Sequence, residues 1–142
     1  MGTPKIGLKY GAPIHYSVGI FIERLGKFLL IDRAKPPLGF ACVAGHVDNN
    51  ETPDEAIVRE VKEEIGLTLT KFKAVEENFF GWNECRRGIK GHYFYVYKGE
   101  ANGKIVHNQN ETKSIAWYTV AEIKKLNLEP VWNYWFKKLG II

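Results

Sequence analysis

Residues 45–67 constrain this chain more than any other stretch. They read Gly-His-Val-Asp-Asn-Asn-Glu-Thr-Pro-Asp-Glu-Ala-Ile-Val-Arg-Glu-Val-Lys-Glu-Glu-Ile-Gly-Leu. Thr52 is a good helix N-cap, Pro53 suits the first helical position, and Glu55 stands three after the cap, completing a capping box. Gly66 follows the last periodic residue, where a left-handed C-terminal cap belongs. These signals predict a helix over Pro53–Ile65. On it Glu60, Glu63 and Glu64, at i, i+3 and i+4, share one face. Like charges packed this closely repel, so an isolated helix would disfavour them. A divalent cation removes the conflict, and hard cations such as Mg²⁺ take oxygen ligands.

On this helix Ile57, Val58, Val61 and Ile65 are expected on one apolar arc that packs on a sheet. Glu60, Glu63, Glu64 and the small Ala56 are expected on a neighbouring arc, held at a fixed edge of the core. The bland alternative is a solvated acidic stripe. For a helix taken by itself the stripe is the commoner outcome, and it is the complete spacing from Gly45 to Leu67 that reverses the odds.

The spacing resembles the Nudix box: a glycine, five residues, a glutamate, seven residues, then Arg-Glu-apolar-x-Glu-Glu-x-Gly-apolar. Here these positions are Gly45, Glu51, Arg59, Glu60, Val61, Glu63, Glu64, Gly66 and Leu67. Every fixed position is filled, and a match this long is far more specific than a short glycine motif. The resemblance implies an α/β/α sandwich around a mixed central sheet. It also implies hydrolysis of a nucleoside diphosphate linked to another moiety, with Mg²⁺, or Mn²⁺ in its place, between the glutamates and the diphosphate.

Carried over residue by residue, Glu60 and Glu64 become the principal metal ligands. Glu63 becomes a further ligand or the base acting on water. Arg59 would orient carboxylates through an ion pair with Glu51, and Gly45 would bring its carbonyl to a metal. Glu111, in the loop before the strand that holds Trp117, resembles a loop glutamate used by many members as a ligand. Three departures from the usual pattern stand out. Val43-Ala44 precede Gly45 where Pro-Gly is frequent, His46 follows it, and Asn50 stands before Glu51 where glycine is frequent. Asn50 tolerates left-handed backbone better than most residues. None of these changes removes a carboxylate.

The rest of the chain sets the class. At 142 residues it is expected to form a single domain, 1–142, with a sizeable core. No apolar run approaches the roughly 20 residues of a membrane helix, and the first residues lack a signal-peptide core, so a cytoplasmic protein is the expectation. Cys42 and Cys85 are then free thiols, with Cys42 a small core residue. Net charge is +4, unevenly spread. Residues 45–67 hold seven acids and two bases, whereas the remainder holds 18 bases and nine acids. An acidic patch in a basic background suits metal ions with a polyanion beside them.

Strands are predicted over 15–23, 27–31, 40–44, 68–80, 88–98 and 115–118, with a hairpin through Leu25-Gly26 and a turn at Asn102-Gly103. Helices are predicted over 120–126 and 131–139, the second with Trp132, Trp135, Phe136 and Leu139 on its core face. Pattern alone says mixed α/β or α+β.

The segment 78–87 combines aromatics and guanidinium groups. Trp82 would stack on a base, and Arg86 or Arg87 would grip a phosphate. His92 reads as structural. Subfamily markers for coenzyme A, NADH, ADP-ribose and dinucleoside polyphosphate substrates are missing. The leading expectation is a pyrophosphohydrolase of a small-molecule nucleotide, of nucleoside triphosphate or nucleotide-sugar type. Removal of pyrophosphate from RNA 5′ ends is the second. A nucleotide-binding module without turnover is the third, and the intact Glu60, Glu63 and Glu64 argue against it. The resemblance also makes a homodimer compatible, with nothing in the sequence to locate an interface.

Overall fold

The computed structural model describes residues 2–9, 12–82, 89 and 91–142. Cys85, Arg86 and Arg87 lie outside the described residues. The elements run β1 (Ile6–Lys9), β2 (Ala12–Arg24), β3 (Lys27–Arg33), β4 (Phe40–Ala41), β5 (Val43–His46), α1 (Pro53–Ile65), β6 (Thr68–Phe80), β7 (His92–Asn102), β8 (Thr112–Thr119), α2 (Val120–Ile123) and α3 (Pro130–Lys138).

The sheet is mixed, as expected. Its main path is β4-β3-β2-β7-β6; β1 and β5 also pair with β2, and β8 with β3. The β2–β7 pair is parallel, with His15 opposite His92 and Ile22 opposite Gly99. The other pairs are antiparallel. β2 and β3 meet in a tight hairpin because Leu25 and Gly26 both take positive φ, 52° and 76°, the geometry that matches strand twist.

Alternation along β2 builds two cores, one on each face. Val18, Ile20 and Ile22 pack under α1 with Ile57, Val61 and Ile65. Phe21 faces the other way, into an aromatic layer with Phe94, Trp132, Trp135 and Phe136 that seats α3. The layers are therefore α1, sheet, and α2 with α3. No described helix is long and apolar enough to cross a membrane.

Three local expectations change. The strand predicted over 40–44 is two strands, because the chain changes partner. Ala41 lies opposite Ile31 of β3, whereas Val43 lies opposite Ile20 of β2, and this pairing runs on through Gly45 to His46. The helix predicted over 120–126 keeps helical form only through Ile123. Beyond it the chain tightens into three-residue turns, with the Leu126 N–H donating to the Ile123 carbonyl at 3.0 Å. On α1, Val58 is 38% exposed and Ala56 is fully buried. The buried arc thus reaches Ala56, and Glu60 and Glu64 stand half-buried at its edge.

Candidate active site

α1 carries the site, and its ends are closed as the sequence predicts. The Thr52 hydroxyl accepts from the Glu55 N–H at 3.1 Å, and the Glu55 carboxylate accepts from the Thr52 N–H at 3.0 Å. Gly66 takes φ 77° and donates to the Lys62 carbonyl. The Tyr97 hydroxyl donates to Asp54 at 2.7 Å, tying the first turn of α1 to β7. Asn50 does adopt left-handed backbone, at φ 65°. These contacts fix the helix rotation and so the direction of its carboxylates.

Arg59 is the hub. Its Nε donates to Glu51 Oε2 at 2.8 Å and its Nη2 to Glu51 Oε1 at 3.0 Å, a two-pronged pair. Nη1 reaches Glu60 at 2.8 Å and Glu63 at 3.2 Å. Nη2 also donates to the His46 carbonyl at 2.9 Å and lies 3.3 Å from Asp48. Glu51 Oε1 also accepts from the Asp48 N–H at 2.9 Å. The Arg59 hydrogen bonds hold the Glu51 carboxyl below its usual range.

Glu60 and Glu64 behave in the opposite way. Burial pushes Glu60 up to about 7, although Arg59 pulls it down. Burial and then the neighbouring Glu60 charge push Glu64 up to about 8, against the pull of Arg33 and a backbone hydrogen bond from Ala44. Two half-buried carboxylates therefore adjoin with too little positive charge for both to ionise comfortably. A divalent cation supplies that charge, and an all-oxygen donor set suits Mg²⁺. The residues present fit the ion.

A cleft of about 290 Å³ gathers Glu60, Glu63 and Glu64 with Glu111, and adds Arg33, Lys35, Asn108 and Thr112. Gly45 abuts the Glu60 carboxyl directly. Glu111 pairs with Lys35 at 3.1 Å, both side chains about half exposed. Arg33 and Lys35 were not singled out from the sequence. Their signal was an Arg-x-Lys pair leaving β3 ahead of Pro36, and only the β3–β8 pairing brings it beside Thr112. A larger cleft of about 720 Å³ lies by the β2–β3 turn and carries Lys71, Lys73 and Lys98, without the three box glutamates. Trp82 is 57% exposed and packs on Phe80 at 5.4 Å. It does not line the carboxylate cleft. Cys42 is buried, and its thiol is pushed up by that burial.

A mixed sheet between helical layers, with a capped helix presenting glutamates to a cation-rimmed cleft, defines a recognisable class of fold and site. The NUDIX domain family model matches residues 13–139, and the chain belongs to the Nudix family. Over 71 residues it is 44% identical to the ADP-ribose pyrophosphatase of Methanocaldococcus jannaschii, covering 47% of this chain and 41% of that protein. Over 110 residues it is 27% identical to the m7GpppN-mRNA hydrolase of Saccharomyces cerevisiae, covering 75% of this chain and 11% of that one. The matches thus span less than half the length of these curated relatives. In fold the chain is similar to the MutT protein of Methanosarcina mazei Go1, with a TM-score of 0.70, 22% identity, and coverage of 87% and 90% of the two chains.

Proposed function

We propose that this protein is a pyrophosphohydrolase that cleaves a diphosphate linkage in a nucleoside diphosphate derivative, of nucleoside triphosphate or nucleotide-sugar type. The observation that carries this reading is one cleft joining Glu60, Glu63, Glu64 and Glu111 to Arg33 and Lys35. A diphosphate is strongly anionic and would be repelled by carboxylates alone. Arg33 and Lys35, together with a metal ion that the glutamates would hold, would answer that repulsion.

In this reading Glu60 and Glu64 hold the metal, with Glu63, Glu111 and the Gly45 carbonyl as further ligands. Mg²⁺, or Mn²⁺, would neutralise phosphate charge and lower the pKa of a bound water. Arg59 keeps Glu51, Glu60 and Glu63 in fixed relation, which limits the motion the reaction must freeze out. Glu63 is the most exposed of the three box glutamates that Arg59 holds, with a side chain 57% exposed. That access suits the alternative role of taking the proton from water as its oxygen attacks phosphorus. The P–O bond of the anhydride breaks, and the leaving phosphate carries away the negative charge. Trp82 would stack on a base beyond the cleft, with Arg86 or Arg87 gripping a phosphate.

The likeness to an ADP-ribose pyrophosphatase puts ADP-ribose on the substrate panel, although the sequence lacks the downstream markers of that subfamily. The likeness to an mRNA hydrolase supports a second reading, action on RNA 5′ ends. Its binding would be steeply salt-dependent.

The test is turnover with Mg²⁺ against nucleoside triphosphates, nucleotide sugars, ADP-ribose, dinucleotides and 5′-triphosphorylated or capped RNA, with products resolved by mass. Glu64→Gln, checked for fold by circular dichroism, is expected to lose activity on whichever substrate is cleaved. Full activity in Glu64→Gln would overturn the site assignment. No turnover of any substrate by folded, metal-loaded protein would favour a binding module.

A further inference from the structure

A second set of metal-ligating side chains lies on the opposite face of the sheet. His15 on β2, His46 on β5 and His92 on β7 each offer a ring nitrogen, and these nitrogens all lie within 4.8 Å of one another. His46 Nε2 and His92 Nε2 share a hydrogen bond at 3.2 Å, which a metal ion held between them would replace. Their ring planes lie within 20° of parallel with centroids 5.2 Å apart, and His15 meets His46 edge-on at 4.7 Å. His15 and His92 are buried, at 3% and 4% exposure, and His46 is half-buried.

Strand register explains the convergence. His15 stands opposite His92. His46 stands opposite Ser17, two residues along β2 from His15. Residues two apart share a face, so all three imidazoles project to the same side. That side is the one on which Phe21 and Phe94 meet α3, because His15, Ser17 and Phe21 alternate with Val18 and Ile20. Gly45 projects the other way, toward Glu60. The histidines and the box glutamates are therefore separate sites on opposite faces.

We propose that His15, His46 and His92 form a binding site for a borderline divalent transition metal of the Zn²⁺ type. Neutral imidazole suits such ions, whereas carboxylate oxygens suit Mg²⁺, so the two faces would sort metals by donor chemistry. Zinc–nitrogen bonds of roughly 2.0–2.1 Å in a tetrahedron place neighbouring nitrogens about 3.3 Å apart. The His46–His92 separation of 3.2 Å is close to that spacing, and the His15 nitrogen lies within 4.8 Å of both. Three protein ligands leave a fourth position for water or another ligand. The bound ion ties β2, β5 and β7 together. Because the His46 carbonyl also accepts from Arg59 Nη2, that tie steadies the start of the box on the other face.

The experiment is titration of the metal-stripped full chain with Co²⁺, followed by visible absorption, in the wild type and in a Glu60→Gln/Glu64→Gln double variant. One equivalent is expected to give the intense bands of four- or five-coordinate Co²⁺ in both proteins, displaced by Zn²⁺ and not by Mg²⁺. His46→Gln, at a half-buried position, is expected to weaken this binding by at least about 100-fold. X-ray absorption of the zinc-loaded wild type, which depends on no substitution, should show three imidazoles per zinc. Only weak octahedral bands, loss of the signal in the double variant, or a zinc shell of carboxylate oxygens would overturn the proposal. None of these readouts is turnover, so the result stands apart from the hydrolase assignment.

Discussion

Gly45 lies so close to the Glu60 carboxyl that a methyl group at residue 45 would occupy the carboxyl's own volume. The glycine is there for space, since its backbone is ordinary β5 ladder opposite Val18. Gly45→Ala is therefore expected to displace Glu60 by about 1 Å and to lower kcat by about 100-fold. Steady-state kinetics beside a circular dichroism spectrum check this. A variant with unchanged kcat would show that Glu60 has slack.

Arg59 holds Glu51 by two parallel bonds and touches Glu60 and Glu63 with its remaining nitrogen. A lysine keeps the charge and loses the fork. Arg59→Lys should lower activity by about 10- to 100-fold, as loss of a ligand-orienting partner does. It should also cost about 1–3 kcal/mol of stability through the hydrogen bonds left unmade. Urea unfolding and kinetics on the same preparation separate the two effects.

Metal and pH are linked at this site. Glu60 and Glu64 titrate near 7 and 8 in the folded, metal-free chain, above the ordinary 4.5. The folded state therefore holds more protons than the unfolded state between about pH 4.5 and 8, and stability falls as pH rises through that window. A bound divalent ion needs the ionised carboxylates, so its stabilisation grows with pH over the same range. Thermal scans from pH 5.5 to 8.5, in EDTA and in Mg²⁺, should give curves that diverge with increasing pH. Glu64→Gln should flatten the EDTA curve. Parallel curves would contradict the assignment of these two groups.

Gly19 sits in β2 under α3. A Cβ there would stand 2.5 Å from Trp132 Cζ2 and 2.9 Å from Phe94 Cε1. Both rings are buried in the aromatic layer and have little room to retreat. Gly19→Ala should destabilise the fold by about 1–3 kcal/mol through overpacking. The denaturation midpoint measures it, and metal affinity at the box, on the opposite face, should change little.

What could be read from the chain follows from the range of the forces involved. Thr52, Glu55 and Gly66 mark the ends of α1 because capping bonds span three or four residues. The side-by-side placement of Glu60, Glu63 and Glu64 follows from helical periodicity alone. The Leu25-Gly26 hairpin and the buried face of α3 were equally local. The error over Val58 and Ala56 arose because periodicity defines an arc but not its rotation. That rotation depends on what the arc meets, here β2 and the Tyr97–Asp54 bond.

The sequence by itself determined the box helix, its caps, the carboxylate spacing and the glycine beside them. Tertiary structure alone decided that Glu60 and Glu64 are half-buried against the core, where loss of water raises their affinity for protons and so the demand for a cation. It alone brought Arg33 and Lys35 to the rim and His15, His46 and His92 to one point. Those residues come together through strand register, which links positions tens of residues apart and leaves no local period in the chain.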